Sequence, residues 1–268
     1  MQIGITREFN CKRLIAIGDV HGCFDLCKDL VENIIKFDPA NDVLVFVGDY
    51  IDRGQKEWET VQYLCNLRAK HNKRVFLLKG NHEEMAELAL KMPVETAPAY
   101  FQCLAYENIT TIESRYMYAW KANGASEWGE NLNALLDFID TLPLWLITPD
   151  FLFIHAGCKE NMPLEKQTTT DLLWDRYNCN GYGDRTVIAG HTPSKTIFEA
   201  DGKIVIDTGA VFTGVLTGYD VLSKTIYQTR GRIRRNGISL RLRRAMFGVC
   251  RQELLQKIGP NIMQKRII

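Results

Sequence analysis

Six residues with metal-binding side chains stand at the ends of short apolar runs: Asp19, His21, Asp49, Asn81, His155 and His191. Three offer oxygen and three offer imidazole nitrogen, a mixed set suited to manganese, iron or zinc rather than to calcium or magnesium alone. Six ligands are too many for one catalytic ion that keeps a position open. They suit two ions sharing a carboxylate. A lone Asp-x-His carries little information, and a hydrogen-bonded structural imidazole is the ordinary alternative for each ring. What lowers that alternative is the repetition: four of the five histidines follow apolar runs, close to glycine.

Positioning such a set requires several strands that end side by side. Leu14-Ile15-Ala16-Ile17 runs into Gly18-Asp19, Val43-Leu44-Val45-Phe46-Val47 into Gly48-Asp49, and Val75-Phe76-Leu77-Leu78 through Lys79 into Gly80-Asn81. Unbroken apolar runs of this length, rich in β-branched residues, read as strands buried on both faces. Between them, Cys23 to Phe37 and Glu57 to His71 carry apolar residues at helical spacing. Strands alternating with helices imply an α/β arrangement, and in such folds ligands gather at the carboxyl ends of the strands. From about Glu95 to Thr141 the pattern turns mostly helical, with Trp120, Trp128, Leu132 and Leu135/Leu136 as core candidates. After Pro143 it returns to strands: Leu144 to Thr148, Phe151 to Ile154 and Thr186 to Ala189. A hairpin follows across Asp201-Gly202, then strands near Gly214 to Val221 and Thr225 to Thr229. A central β-sandwich of mixed sheets flanked by helices fits this pattern better than a single doubly wound sheet.

Composition excludes several classes. Of 268 residues, 46 % are hydrophobic and 24 % charged, which fits a globular chain and excludes a disordered, collagen-like or coiled-coil one. The eight cysteines form no CxxC pair. With no apolar N-terminal stretch, they read as reduced thiols of a cytoplasmic protein. No apolar run reaches the roughly 18 residues that a membrane span needs. The net charge of +1 conceals an asymmetry, because the segment 230–268 holds eleven Lys or Arg against Glu253 alone, leaving residues 1–229 at −9.

Read together, GDVHG (18–22), GDYIDRG (48–54), GNHE (80–83), IHAG (154–157) and GHT (190–192) resemble the signature of the phosphoprotein phosphatase family, within the calcineurin-like metallophosphoesterases. Cys23 after the first motif, Trp174-Asp175-Arg176 and IDTGAVFTG (206–214) resemble in particular the compact bacterial and bacteriophage-lambda type of serine/threonine protein phosphatase. The matching features span residues 14 to about 222. The resemblance implies the metallophosphoesterase fold and two divalent metal ions, Mn²⁺ first, with Fe or Zn as alternatives. One ion would be held by Asp19, His21 and a bridging Asp49. The other would be held by Asp49, Asn81, His155 and His191. Such a pair binds phosphate oxygens and lowers the pKa of an attacking water. His82 would serve as general acid, and Asp52 would orient it and hold it protonated; capping of a following helix is the alternative for Asp52. Arg53 and Arg176 would grip the phosphate with bidentate hydrogen bonds, and a surface salt bridge is the alternative for Arg176.

Other features read as structure. Asn123-Gly124 is either a lambda-type loop near the substrate or a simple turn. His71 is expected to be solvated at a helix end, Asp207 to support the site from behind, and Cys23 with Cys27 to be core. The expected organisation is a catalytic domain over 1–229, with the helical insertion at 95–141, and a basic tail over 230–268. Within the tail, Leu242, Met246, Val249/Cys250 and Leu254 recur at helical spacing among arginines. That amphipathic segment either docks on the acidic body or meets an anionic partner, nucleic acid or a membrane surface.

The expected activity is a monomeric phosphomonoesterase acting on phosphoserine and phosphothreonine in proteins. The alternative is a hydrolase of dinucleoside tetraphosphates or RNA 5′ ends. A non-catalytic binding module should have lost a ligand or the general acid, and none is missing.

Overall fold

The computed structural model describes residues 3–91, 126–176, 181–200 and 202–230. Among the described residues, eleven short strands form two mixed sheets. The first holds β2 (Arg13–Ile17), β3 (Asp42–Phe46), β4 (Val75–Leu77), β10 (Thr217–Asp220) and β11 (Thr225–Gln228), in the order β11-β10-β2-β3-β4. Strands β2, β3 and β4 run parallel, while β10 and β11 each run antiparallel to their neighbour. The second contains β1 (Gly4–Thr6), β5 (Trp145–Ile147), β6 (Phe151–Ile154), β7 (Thr186–Ala189), β8 (Phe198–Ala200) and β9 (Lys203–Val205), ordered β1-β5-β6-β7-β9-β8.

Strand alternation explains why the sequence runs are apolar throughout. Leu14 and Ala16 of β2 and Val43 and Val45 of β3 join Leu146, Phe153, Ile188 and Ile204 in a core between the sheets. Their neighbours Ile15, Ile17, Leu44 and Phe46 face outward, onto four helices. These are α1 (Phe24–Asp29, extended by a π turn over Leu30–Ile34), α2 (Glu57–Lys70), α3 (Asn81–Lys91) and α4 (Ser126–Asp140). On the far side, Leu152, Ile154, Val187 and Ala189 pack under α5 (Thr169–Leu173) through Leu172 and Leu173. The layers are therefore helix, sheet, sheet, helix, as the strand pattern implied.

Several boundaries differ from the sequence reading. The stretch from Gly214 opens not as a strand but at the end of a one-turn helix, α6 (Ala210–Thr213), flanked by Gly209 and Gly214 with φ of 66° and 74°. Strand β1, not anticipated, is added parallel to β5 at the sheet edge. Of the expected helical insertion, α4 lies within the described residues and buries Leu135, with Leu136 half-buried; Trp120, Asn123, Gly124, the side chains of Trp128 and Leu132, and the tail from Gly231 lie outside them. His71, expected in solvent, caps the end of α2 and packs edge-on against Phe37.

An ionic chain, buried at its Lys79–Glu87 end, ties α3 into this frame. Lys79, at the end of β4, is 1 % exposed and lies 2.6 Å from Glu87. Lys91 bridges Glu87 to Asp140 of α4, at 2.7 Å on both sides. Burial raises the Glu87 pKa, but hydrogen bonds from the two lysines outweigh it and hold the carboxyl below its usual range. A depressed carboxylate stabilises the fold above its ordinary pKa and loses that contribution as pH falls through the folded value. Glu87→Gln should therefore cost on the order of 3 kcal/mol at neutral pH, measured as a fall in the urea midpoint. The gap should shrink as pH falls below the ordinary glutamate range and on through the lower folded value, where the native carboxyl is itself protonated.

Candidate metal centre

The loops after β2, β3, β4, β6 and β7 converge, and their backbones are knitted before any side chain is considered. Amides of Val20 and His21 both donate to the Asp49 carbonyl, at 3.0 and 2.8 Å, and Gly190 N donates to His155 O at 2.8 Å. The strongest knot is Glu83, which is fully buried. One of its carboxylate oxygens accepts from Asp49 N and Gly80 N, both at 2.9 Å. The other accepts from Tyr50 N at 2.8 Å and Ile51 N at 3.4 Å. Glu83 is the third residue of α3 and reaches back to the residue before the helix, as a capping-box glutamate does; here it also holds the loop after β3. The sequence reading quoted GNHE without a role for this residue, although a glutamate three positions into a predicted helix was a usable signal.

Such knitting supports unusual backbone. His21, Asp49, Asp52, Arg53 and His191 all have left-handed φ, between 45° and 69°, a conformation costly for residues other than glycine. It turns their side chains inward. Close approach also demands glycine at two places: a Cβ on Gly80 would overlap the Asp49 carboxylate and amide, and one on Gly190 would overlap Asp19 Oδ1.

The histidine tautomers follow from their partners. His21 Nδ1 lies 2.8 Å from the Ile51 carbonyl and His155 Nδ1 lies 2.9 Å from the Val47 carbonyl. A carbonyl only accepts, so both Nδ1 atoms carry hydrogen and both Nε2 atoms face the site. His21 Nε2 is 3.4 Å from Asp49 Oδ2, and His155 Nε2 is 3.4 Å from Asp49 Oδ1. Asn81 Oδ1 stands 2.9 Å from both His155 Nε2 and His191 Nδ1. Asp49 therefore presents one oxygen to each of two donor groups. Within each of the sets His21, Asp49, His82 and Asp49, His155, His191, one ligand atom from every residue lies within 4.8 Å of the others.

The charges also call for cations. Burial, then Asp207 and Asp49, pushes the Asp19 carboxyl well above its usual range. Burial and Asp49 push Glu83 up to about 7. At His155 the pull of Asp49 outweighs burial and raises the ring above its ordinary value. Acceptors outnumber donors where these groups meet, so a divalent ion fits the donor set. Asp19 lies beside this centre, accepting the His191 amide at 3.1 and 3.2 Å. Asp207, buried against Asp19, accepts Gly209 N at 2.7 Å.

His82 and Asp52 form a buried pair, with Nδ1 2.6 Å from Oδ2. The His82 amide donates to Asp49 Oδ1 at 3.0 Å. The protonation expected of this pair needs correction. Burial, reinforced by Arg53, pushes His82 down to about 3, and burial pushes Asp52 up to about 7. Enclosure penalises charge on both partners, so Asp52 orients the ring without keeping it charged. Arg53 reaches His21 Nε2 through Nη1 at 2.5 Å, and Arg176 Nε donates to His191 Nε2 at 3.2 Å. The ten residues singled out in the sequence lie around one centre, but the ligand atom that joins His21 and Asp49 within 4.8 Å is that of His82 and not of the expected Asp19, which stands beside them on the His191 amide. Trp174 fixes the Arg176 segment: its indole donates to Glu84 Oε2 at 2.8 Å.

A profile of the calcineurin-like phosphoesterase family matches residues 12–222, and the chain belongs to that family. It is 30 % identical over 229 residues to serine/threonine-protein phosphatase 1 of Salmonella typhimurium, covering 78 % of this chain and 91 % of that one. It is 24 % identical over 234 residues to the asymmetrical bis(5′-nucleosyl)-tetraphosphatase PrpE of Oceanobacillus iheyensis, covering 76 % and 86 %. Among solved structures, a putative diadenosine tetraphosphatase superposes with a TM-score of 0.61 at 20 % identity, over 88 % of this chain and all of that one. A Saccharomyces cerevisiae serine/threonine phosphatase superposes at 0.57 with 15 % identity, over 86 % and 84 %. These two likenesses concern the fold.

If Asp49 serves both donor groups, Asp49→Asn should lower occupancy at both positions. Metal content after manganese loading and gel filtration checks this, and unchanged content would count against a shared carboxylate.

Proposed function

We propose that the chain hydrolyses phosphomonoesters, with phosphoserine and phosphothreonine of proteins as substrates. The observation that carries this reading is the buried His82–Asp52 pair, with Nδ1 2.6 Å from Oδ2 and the other ring nitrogen 3.9 Å from Asp49, the carboxylate that both donor groups share. Two divalent cations, manganese first, held by Asp19, His21 and Asp49 and by Asp49, Asn81, His155 and His191, would supply Lewis acidity toward the phosphoryl oxygens and a water of lowered pKa.

The remaining work falls to this chain's side chains. Arg53 and Arg176 grip the nonbridging oxygens through paired N–H donors and meet the charge that grows on them. As the water oxygen bonds to phosphorus and the ester P–O bond breaks, the leaving alkoxide takes a proton from His82 Nε2. Asp52, bonded to Nδ1, keeps Nε2 turned toward the site. The ring's low proton affinity is raised by the substrate itself, because a phosphate dianion nearby favours the imidazolium. The leaving oxygen and the proton thus meet only when substrate is bound. A cytoplasmic setting agrees with the five free cysteines among the described residues, and no described helix is long and apolar enough to cross a membrane.

His82→Asn should keep its metal content while slowing alkyl phosphates much more than aryl phosphates, whose leaving groups need no proton. Equal slowing of both would argue against general-acid catalysis.

The second reading, a dinucleoside tetraphosphatase, is favoured by the match to PrpE over three quarters of the chain. The Salmonella phosphatase matches at higher identity over a similar span, and Asp52-Arg53-Gly54 is intact, so phosphoproteins come first. Turnover of a phosphoserine peptide and of diadenosine tetraphosphate at equal manganese loading separates the two. The peptide should be the better substrate, and the reverse order sinks the first reading.

A further inference from the structure

The basic segment that begins at residue 230 has no part in the site described above, and it lies beyond the family match, which ends at residue 222. Over 230–244 the sequence holds seven arginines, with no lysine, no acid and no aromatic residue. Where this segment leaves the body is set by the last strands. β10 starts at the candidate metal centre and runs away from it: Gly218 faces Ile17 at the carboxyl end of β2, and Gly18 N donates to Thr217 O at 3.1 Å. β11 runs back, with Gln228 opposite Thr217. The chain therefore emerges at the end of the sheet that carries Asp19. With strands about 4.8 Å apart, Gln228 lies roughly 10 Å from Gly18.

Hydrogen bonds fix that root. Gln228 Nε2 donates to Thr217 Oγ1 at 3.0 Å, and Thr217 Oγ1 lies 2.7 Å from Thr208 Oγ1. Thr208 follows Asp207, which is buried against Asp19. The Thr229 amide donates to Leu216 O at 3.1 Å, while its Oγ1 accepts from Leu216 N at 2.8 Å. Arg230 is then exposed. Arg232, Arg234 and Arg235 follow within five residues, so chain length alone keeps them within ~17 Å of Arg230.

We propose that residues 230–244 are an arm that captures acidic stretches of the phosphoprotein substrate beside the phosphorylated residue. This rests on the phosphoprotein reading above and deepens it by naming the sequence context. Residues 1–229 carry a net charge of −9, so the body by itself repels an acidic peptide. Seven arginines beside the site reverse that field, and each guanidinium can pair with a carboxylate through two N–H donors. Because the arm is tethered near the centre, a peptide held at its phosphate meets the arginines at high effective concentration. Single-stranded nucleic acid is the less favoured partner, since 230–244 offers no aromatic ring to stack its bases.

The test uses the full manganese-loaded chain and two phosphoserine peptides that differ only in being flanked by four glutamates or four glutamines. At low salt the glutamate peptide should have about tenfold higher kcat/KM, through KM with kcat unchanged, as several exposed ion pairs together allow. The preference should vanish at about 0.5 M salt. Replacing six arginines together (Arg232→Gln, Arg234→Gln, Arg235→Gln, Arg241→Gln, Arg243→Gln and Arg244→Gln) should abolish it and leave p-nitrophenyl phosphate turnover unchanged. The same six changed to Lys should keep most of it. Equal turnover of the two peptides, or a preference that survives the glutamine variant, overturns the arm and leaves the phosphoprotein reading standing. So does faster turnover of every substrate by that variant, because the segment would then be covering its own acidic body. A loss of p-nitrophenyl phosphate turnover as large as the peptide loss also overturns it, since the arginines would then serve the centre itself. If oligouridylate displaces the glutamate peptide at a lower concentration than an unphosphorylated glutamate peptide of equal charge does, the partner is nucleic acid and the peptide assignment falls. If p-nitrophenyl phosphate is hydrolysed and neither peptide is, the phosphoprotein reading fails, and the arm with it.

Discussion

Four backbone amides from two loops end on one carboxylate, that of Glu83, and most of the site hangs from that arrangement. Three of the amides belong to consecutive residues, Asp49, Tyr50 and Ile51, so the chain after β3 must curl around the carboxylate. Curling is what places Asp49 in a left-handed conformation. The fourth amide, from Gly80, brings the start of α3 against the same loop. His82 can then donate its own amide to Asp49 while its ring meets Asp52. The Ile51 carbonyl, carried by that loop, selects the His21 tautomer. An orphaned buried amide is expensive, and here the expense is avoided for four amides by one side chain. The same carboxylate stands near Asp49, which is one reason its pKa is pushed up to about 7.

The clamp therefore serves catalysis at the expense of electrostatics. Asp19, Asp49, Asp207 and Glu83 are all buried in one region, where low dielectric and like charge push Asp19, Asp207 and Glu83 up while the surrounding histidines hold Asp49 ionised despite its burial. A core built for stability alone would not collect them. Left-handed backbone at five of the ten predicted residues adds strain of the same origin. The two sheets absorb it: the cores on either side are apolar and continuous, and the strained loops span only the gap between strand ends. Further out, the Lys79–Glu87–Lys91–Asp140 chain anchors α3 through neutralised charge. Acid is thus concentrated at the centre and balanced away from it.

This division explains what could be read from the sequence. The residues gathered around the candidate centre were legible because each stands at the end of an apolar run and close to glycine, a local signal that survives without coordinates. The sandwich was legible for the same reason, since runs apolar on both faces need cover on both sides. Glu83 was legible only in its local half: its bond to the Gly80 amide is a helix-start pattern three residues long, while the three amides of the loop after β3 lie more than thirty residues away and only the fold brings them near. Glu84 was hidden, its partner Trp174 lying ninety residues on. Strand β1 offers three residues and no period, and α6 only one turn between glycines, too short for any pattern to show. The error over His82 has a different cause. A neighbouring carboxylate does favour imidazolium, but that rule assumes solvent, and here both partners are enclosed beside Arg53.

As the proposed general acid, His82 would gain a use for the low proton affinity that enclosure gives it. A ring held permanently charged would sit against the cationic Arg53 and against any metal ions at the paired donor groups, and would repel them. In the proposed mechanism a neutral ring would tolerate those cations and would become an acid when negative charge arrives. A substrate phosphate would supply that charge beside the oxygen to be protonated. Asp52, whose Oδ1 is buried without a hydrogen-bond partner among the described residues, holds the ring by one short bond. Under that proposal protonation would be coupled to binding through three positions, His82, Asp52 and Arg53, and through the exclusion of water around them. Geometry alone, with the same residues exposed, would give an acid indifferent to its substrate.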